Sequence, residues 1–153
     1  MTNCPIPNFA KVDDRLWRGS IIDTQEKVDW LVAQGVRTVI NLELIHKDMP
    51  FPPSVATISL RDWEALPLIA PTYEDKHIHA FLGAVRVFTS PICGHCHEGI
   101  NRTSVAIAAY ELVDLDRPLP AVLAEMRSYN GLWYKSDAAY ITKLAARVKE
   151  FRP

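Results

Sequence analysis

The sequence around Cys96 brings together the residue types that phosphate chemistry uses. Five residues separate Cys96 from Arg102, Gly99 lies midway between them, and a hydroxyl residue, Thr103, follows the arginine. If this segment curls into a cup, its backbone N–H groups converge at the mouth of the following helix, where they bind a tetrahedral oxyanion. The same field favours a thiolate over a thiol, which makes the sulfur a strong nucleophile near neutral pH. The segment therefore predicts phosphate binding followed by attack of sulfur on phosphorus.

Two residues of this segment have separate expected tasks. Arg102 can offer two parallel N–H donors to two oxygens of a phosphoryl group and hold them as charge shifts in the transition state. An arginine in the first turn of a buried helix opposes the helix dipole, and a bound anion removes that conflict. Gly99 permits a backbone angle that a side chain would forbid. The expected phosphate-binding residues are His97, Glu98, Gly99, Ile100, Asn101 and Arg102.

The run from His95 to Thr103, which reads His-Cys-x-x-Gly-x-x-Arg-Thr, resembles the signature loop of the cysteine-dependent protein tyrosine phosphatases. The resemblance is to their compact dual-specificity branch in particular. Residues 9–20 and 35–42 are similar to the opening strands of small bacterial members, so the resemblance covers roughly the whole chain. It implies a phosphoric monoester hydrolase, a cysteine-dependent protein phosphatase, that forms a phosphocysteine intermediate on Cys96 and needs no metal or other cofactor.

The resemblance also implies roles for residues beside the cysteine. Thr103 matches the hydroxyl that hydrogen-bonds the sulfur and eases its departure when the phosphoenzyme hydrolyses, and Ser104 is the alternative donor. A threonine at a helix start can instead simply satisfy backbone groups. His95 matches a buried residue that supports the loop backbone, rather than a general base.

Hydrolysis also needs an acid that protonates the leaving oxygen and then a base that activates water. Asp62 follows a predicted strand, in a loop with two prolines, and its position resembles the acid loop of the family. Trp63 beside it can help to close that loop over the substrate. Glu64 is the alternative acid, and either carboxylate can instead be a solvated loop charge. We predict Asp62 as the general acid and base.

The order of elements predicts an α/β fold in which a mostly parallel sheet of about four to five strands is flanked by helices. Predicted strands lie at residues 16–18, 38–42, 55–60 and 92–95; predicted helices run from a cap at Asp23 or Thr24 to Gly35, and over 72–88, 104–113, 119–129 and 137–151. Ligand sites in such folds lie at the carboxyl ends of the strands, where the Cys96 loop is expected. We expect one phosphatase domain over residues 1–153, with residues 1–8 irregular.

Composition limits the possible partners. The 153 residues carry a formal net charge of −1, and 48% are hydrophobic, so nothing drives the whole chain toward nucleic acid or an anionic membrane.

Three cysteines and an N-terminus without signal-peptide character predict a reducing, cytoplasmic location. No lysine lies in the loop, which within this superfamily favours a phosphoprotein or another singly phosphorylated substrate. We expect a monomer.

Other functions fit parts of the same segment. Cys93 and Cys96 form a C-x-x-C pair typical of thiol oxidoreductases, but that function leaves Arg102 unexplained. Zinc ligand types also occur there, at Cys93, His95, Cys96 and His97, yet strand residues alternate faces and need not converge. A sulfurtransferase and a catalytically weak or dead phosphate-binding module remain as alternatives. Residues 129–135 form either part of the substrate rim or an aromatic packing segment.

Overall fold

The computed structural model of the chain describes residues 3–43, 47–60, 73–129, 131 and 135–153. Within these residues, five strands form one sheet in the order β1-β2-β5-β3-β4. Their bounds are Ala10–Lys11 for β1, Leu16–Gly19 for β2, Thr38–Asn41 for β3, Ala56–Ser59 for β4 and Ile92–His95 for β5. Strands β2, β5, β3 and β4 are parallel, and only β1 pairs antiparallel, at the edge beside β2. The predicted α/β fold with a mostly parallel sheet is confirmed.

Helices cover both faces of this sheet. Their bounds are Gln25–Ala33 for α1, Asp75–Val87 for α2, Asn101–Val113 for α3, Leu119–Ser128 for α4 and Lys135–Ala145 for α5, and a 3-10 helix spans Val148–Phe151. The Thr24 side chain caps α1 by accepting a hydrogen bond from the Lys27 amide, and Gly35 at φ +93° turns the chain away after it. None of the described helices is long and apolar enough to cross a membrane.

The sheet separates two hydrophobic cores. Helix α3 is buried along its length from Thr103 to Val113 and lies at the centre of the larger core, together with Phe81 of α2. The smaller core lies under α1 and includes Trp17 and Cys93. Because successive strand residues point to opposite faces, Ile92 of β5 faces the larger core while its neighbour Cys93 faces the smaller one.

Two details differ from the sequence prediction. The continuous helix predicted over residues 137–151 is wrong, because α5 ends at Ala145 and the 3-10 helix follows. Arg147 leaves the helical conformation there (φ −127°, ψ 24°), and its guanidinium lies 2.6 Å from both Asp75 and Glu150. This turn places Phe151 in the larger core. The short strand β1 was not predicted, since two residues carry no readable pattern.

Candidate active site

The loop of residues 96–100 joins the carboxyl end of β5 to the first turn of α3. Strand β5 lies between β2 and β3, with His95 in register with Gly19 on one side and Asn41 on the other. The Leu42 amide donates to the His95 carbonyl at 2.9 Å and continues the pairing up to the cysteine. The loop therefore lies at the middle of the edge where ligands bind in parallel sheets.

The carbonyl groups of this loop are held by strand β2 and the segments that flank it. The His97 carbonyl accepts from the Ile21 amide (3.0 Å), the Glu98 carbonyl from the Asn8 side chain (2.8 Å), and the Gly99 carbonyl from the Arg18 guanidinium (2.9 Å). In a planar trans peptide the N–H points away from the C=O. Holding three successive carbonyls on one side therefore turns the next three amides, those of residues 98, 99 and 100, to the other side.

These amides are available for a ligand, since none of them donates to another residue in the part of the chain that the structure describes. Three convergent N–H groups at a helix N-terminus form an anion nest. A nest of this kind is what the spacing of cysteine, glycine and arginine predicts, and phosphate binding by the loop stays a prediction.

Gly99 is required at its position for two reasons. Its φ of +74° lies in the left-handed region that side chains disfavour. A Cβ atom built there would also lie 2.7 Å from the Gly19 carbonyl oxygen, against backbone that has no flexible end to move. The loop packs onto β2 too closely to accept any other residue here.

The sulfur of Cys96 is enclosed by the start of α3. The residue is 2% exposed, and the Thr103 hydroxyl donates to Sγ at 3.0 Å. The hydroxyl of Ser104, the alternative donor, instead accepts from Arg18 at 2.8 Å. The threonine is therefore the hydroxyl residue that contacts the sulfur. Arg102 is half-buried in the first turn of α3.

His95 is fully buried between the loop and an acidic segment. Its Nδ1 lies 3.3 Å from the Cys96 carbonyl oxygen, and its Nε2 lies 2.9 Å from the Asp48 carboxylate. The buried Glu43 carboxylate lies 3.9 Å from His95 and 3.4 Å from the exposed ring of His97. His95 thus contacts the loop backbone. The Asp48 and Glu43 carboxylates lie beside its ring, and Glu43 also lies beside the ring of His97.

The remaining loop residues predicted to bind phosphate differ in exposure. The side chains of His97 and Glu98 are exposed, whereas Ile100 and Asn101 are half-buried. If these residues bind an anion, as the sequence predicts, backbone amides rather than Glu98, which is itself acidic, would make the contact.

The predicted acid, Asp62, lies outside the described residues, as do Trp63 and Glu64. The segment that leads to them is described. Strand β4 ends at Ser59, and the Leu60 amide donates to the Asn41 carbonyl at 2.8 Å. Because β4 is parallel to β3 and β5, the chain enters residues 61–72 from the same edge of the sheet as the Cys96 loop.

Cys93 and Cys96 lie on opposite faces of the sheet, one in each hydrophobic core. A disulfide between them, or a metal ion shared by them, would require the backbone to move so that both side chains point to one face. Burial also raises the pKa of the Cys93 thiol, which makes it a poor nucleophile. The positions of the two cysteines therefore do not support a thiol oxidoreductase or a zinc site that uses them as a pair.

Two residues that hold the loop, Arg18 and Asn8, were not identified from the sequence. Arg18 had a usable signal, since a charged residue in the middle of a buried strand needs a partner. Asn8 had none, because it lies in an irregular segment 90 residues from the carbonyl it contacts. Of the segment 129–135, the Tyr129 ring lies over Arg18 and Gly131 packs against Ser104, while residues 130 and 132–134 lie outside the described residues.

Known proteins share this architecture. A family model described as a DSP-PTPase phosphatase fused to NAD+ kinase matches residues 3–130. The crystal structure of P. aeruginosa TpbA superposes with a TM-score of 0.72 at 22% identity, covering 97% of this chain and 92% of that one. The catalytic core of the PP-IP phosphatase SIW14 from S. cerevisiae gives 0.71 at 17% identity, covering 90% and 85%. Tk-PTP in its active form gives 0.67 at 18% identity, covering 92% and 98%.

No curated protein matches the chain in sequence. The solved structures, all of low identity, support the fold, and the family model, which spans most of the chain, establishes the family. The chain belongs to the DSP-PTPase family of phosphatase domains described as fused to NAD+ kinase, and it is a cysteine-dependent protein phosphatase.

Proposed function

We propose that this protein hydrolyses phosphoric monoesters through a phosphocysteine intermediate on Cys96. One observation carries the proposal: the carbonyls of residues 97–99 accept hydrogen bonds from Ile21, Asn8 and Arg18, which turns the amides of residues 98–100 to the opposite side of the loop. This arrangement stabilises both the thiolate and the dianion that it attacks.

In the first step the Cys96 thiolate attacks phosphorus and the bond to the leaving oxygen breaks. Asp62 donates its proton to that oxygen, and the alcohol or phenol departs. The loop amides and the Arg102 guanidinium hold the other three phosphoryl oxygens, where charge is spread in the transition state.

In the second step water attacks phosphorus and the S–P bond breaks. The Asp62 carboxylate takes a proton from the water, which yields phosphate and restores the acid. The Thr103 hydroxyl, 3.0 Å from Sγ, donates to the sulfur as it regains its negative charge. All charges that the reaction needs come from the chain, so we propose that no metal or other cofactor takes part.

The substrate we propose is a phosphorylated protein or another singly phosphorylated ester. TpbA, which shares the fold, has been crystallised with phosphotyrosine. SIW14 is a PP-IP phosphatase, but the loop here presents an exposed Glu98 and lacks a lysine, which disfavours a polyanion. A nucleophilic thiol must remain reduced, so we place the protein in the cytoplasm. The proposed oligomeric state is a monomer.

Hydrolysis of p-nitrophenyl phosphate, phosphotyrosine peptides and phosphothreonine peptides tests the proposal. We expect saturable turnover in the presence of a metal chelator, with the phosphotyrosine peptide preferred over an inositol polyphosphate. A protein that binds phosphate or vanadate but turns over none of these esters is the phosphate-binding module instead.

The role of Asp62 is tested by the pH dependence of kcat/KM in the Asp62→Asn variant. An amide can neither donate nor accept the proton, so we expect kcat/KM to fall by about 10²- to 10⁴-fold and the decline at basic pH to disappear. The matched control is Glu64→Gln, which should keep both limbs of the profile. An unchanged basic limb in Asp62→Asn, with its loss in Glu64→Gln, would transfer the role to Glu64.

A further inference from the structure

Arg18 is a charged residue in a buried strand, where apolar residues are usual. All four residues of β2 are buried, and Arg18 is 2% exposed. Burying a cation is costly unless hydrogen bonds and nearby negative charge compensate for it. Among the described residues no carboxylate lies within ion-pair distance of its guanidinium, so the compensation comes from elsewhere.

Within the part of the chain that the structure describes, the contacts of this guanidinium lie at the Cys96 loop or at an element that supports it. The nitrogen Nη2 donates to the Gly99 carbonyl at 2.9 Å and to the Ser104 hydroxyl at 2.8 Å. The Tyr129 ring lies against the guanidinium, 3.8 Å from ring centroid to Cζ. One side chain thus joins the loop, the first turn of α3 and the end of α4 to strand β2.

We propose that Arg18 is a positioning residue that sets the orientation of the Gly99–Ile100 peptide and keeps a fixed positive charge beside the loop that carries Cys96. The Arg18–Gly99 hydrogen bond turns the Ile100 amide toward the anion, by the peptide geometry described above. The residue acts through the loop and does not touch the substrate.

The hydrogen-bond partners of Arg18 among the described residues, the Gly99 carbonyl and the Ser104 hydroxyl, are neutral. They therefore leave the positive charge of the guanidinium beside the loop. The carboxylate of Glu111 pairs with Arg117 at 2.6 Å instead. Burial lowers the pKa of the Arg18 guanidinium, because removal from water penalises the charged form. Arginine stays protonated in such surroundings, so the field at the sulfur persists over the working pH range.

The inference rests on the proposed function, and two substitutions separate its two parts. Arg18→Gln keeps a hydrogen-bond donor without the charge. Arg18→Lys keeps the charge but loses the planar guanidinium that donates to two acceptors while stacking on a ring. The first therefore tests the electrostatic part, and the second tests the tether.

The measurements are the pH midpoint of Cys96 alkylation by iodoacetamide and the kinetics of p-nitrophenyl phosphate hydrolysis. For Arg18→Gln we expect the alkylation midpoint to rise and kcat/KM to fall by about 10- to 100-fold. For Arg18→Lys we expect a midpoint close to that of the unmodified protein and a raised KM. Alkylation needs no turnover, so a failure of the inference is distinguishable from a failure of the proposed function.

The matched control is Arg15→Met, which removes a half-buried arginine from the position just before β2. Arg15 donates to the Val85 carbonyl at 2.6 Å, at the end of α2 and away from the loop. We expect this variant to lower the thermal midpoint without moving the alkylation midpoint. A shift of the alkylation midpoint in the control equal to that of Arg18→Gln would overturn the inference.

A folded Arg18→Gln variant with unchanged alkylation and kcat/KM would also overturn it. If that variant does not fold, Arg18→Lys decides both parts. An unchanged KM in Arg18→Lys then rejects the tether, and a raised alkylation midpoint rejects the fixed charge, because lysine retains the cation.

Discussion

Replacing Cys96 by serine is expected to abolish turnover, with kcat for p-nitrophenyl phosphate reduced at least about 10⁴-fold. A serine hydroxyl at this position has no adjacent base and stays protonated, whereas the proposed reaction uses the sulfur as the attacking anion. Phosphate or vanadate should still bind, because the loop amides remain and the competing negative charge of the sulfur has gone. Steady-state kinetics and titration calorimetry with vanadate measure the two effects.

Cys93→Ser is the matched control for this substitution. It makes the same change three residues earlier, on the opposite face of the sheet. A hydroxyl buried there without a partner should cost stability, about 1–3 kcal/mol, and leave kcat unchanged in the folded protein. Turnover by Cys96→Ser within tenfold of the unmodified protein, roughly 1.4 kcal/mol in the barrier, would be incompatible with a sulfur nucleophile.

The second large effect is expected for Arg102→Lys. Lysine keeps the positive charge but cannot donate two parallel hydrogen bonds to two phosphoryl oxygens. Because those bonds strengthen as charge shifts in the transition state, we expect kcat to fall by about 10²- to 10³-fold, together with weaker vanadate binding.

The control for Arg102→Lys is Arg127→Lys, at an exposed position in the last turn of α4. That variant should keep both kcat and vanadate affinity. An Arg102→Lys variant with kinetics equal to those of this control would show that a point charge suffices and that bidentate binding has no part in the reaction.

The central part of the fold could be predicted because its signals are local in sequence. Strand β5, the loop and α3 follow one another directly in the sequence. The cysteine, the glycine and the arginine therefore come close together without any contact between distant segments. The burial of α3 is equally readable, since the helix is apolar almost all round.

The supports of the loop could not be predicted, because each depends on a contact between distant segments. Arg18 lies 81 residues before the carbonyl it holds, and Asp48 lies 47 residues before His95. The sequence shows that Arg18 is unusual in an apolar strand, but the partner depends on strand order, which places β2 beside β5.

The error at the C-terminus has a similar origin. Apolar residues continue through the segment 137–151 with a helical period, and that period predicts one long helix. The chain turns near Arg147 instead, because ion pairs with Asp75 and Glu150 and burial of Phe151 stabilise the turn. Distant contacts of this kind override local helical preference.

The most direct test of the account is rapid chemical quenching of the enzyme during turnover, followed by mass spectrometry of the peptide that contains Cys96. Transfer through sulfur predicts that this peptide gains the mass of one phosphoryl group during turnover and loses it once the substrate is consumed. Turnover with no phosphoryl group on Cys96, or with the group on another residue, would contradict the account.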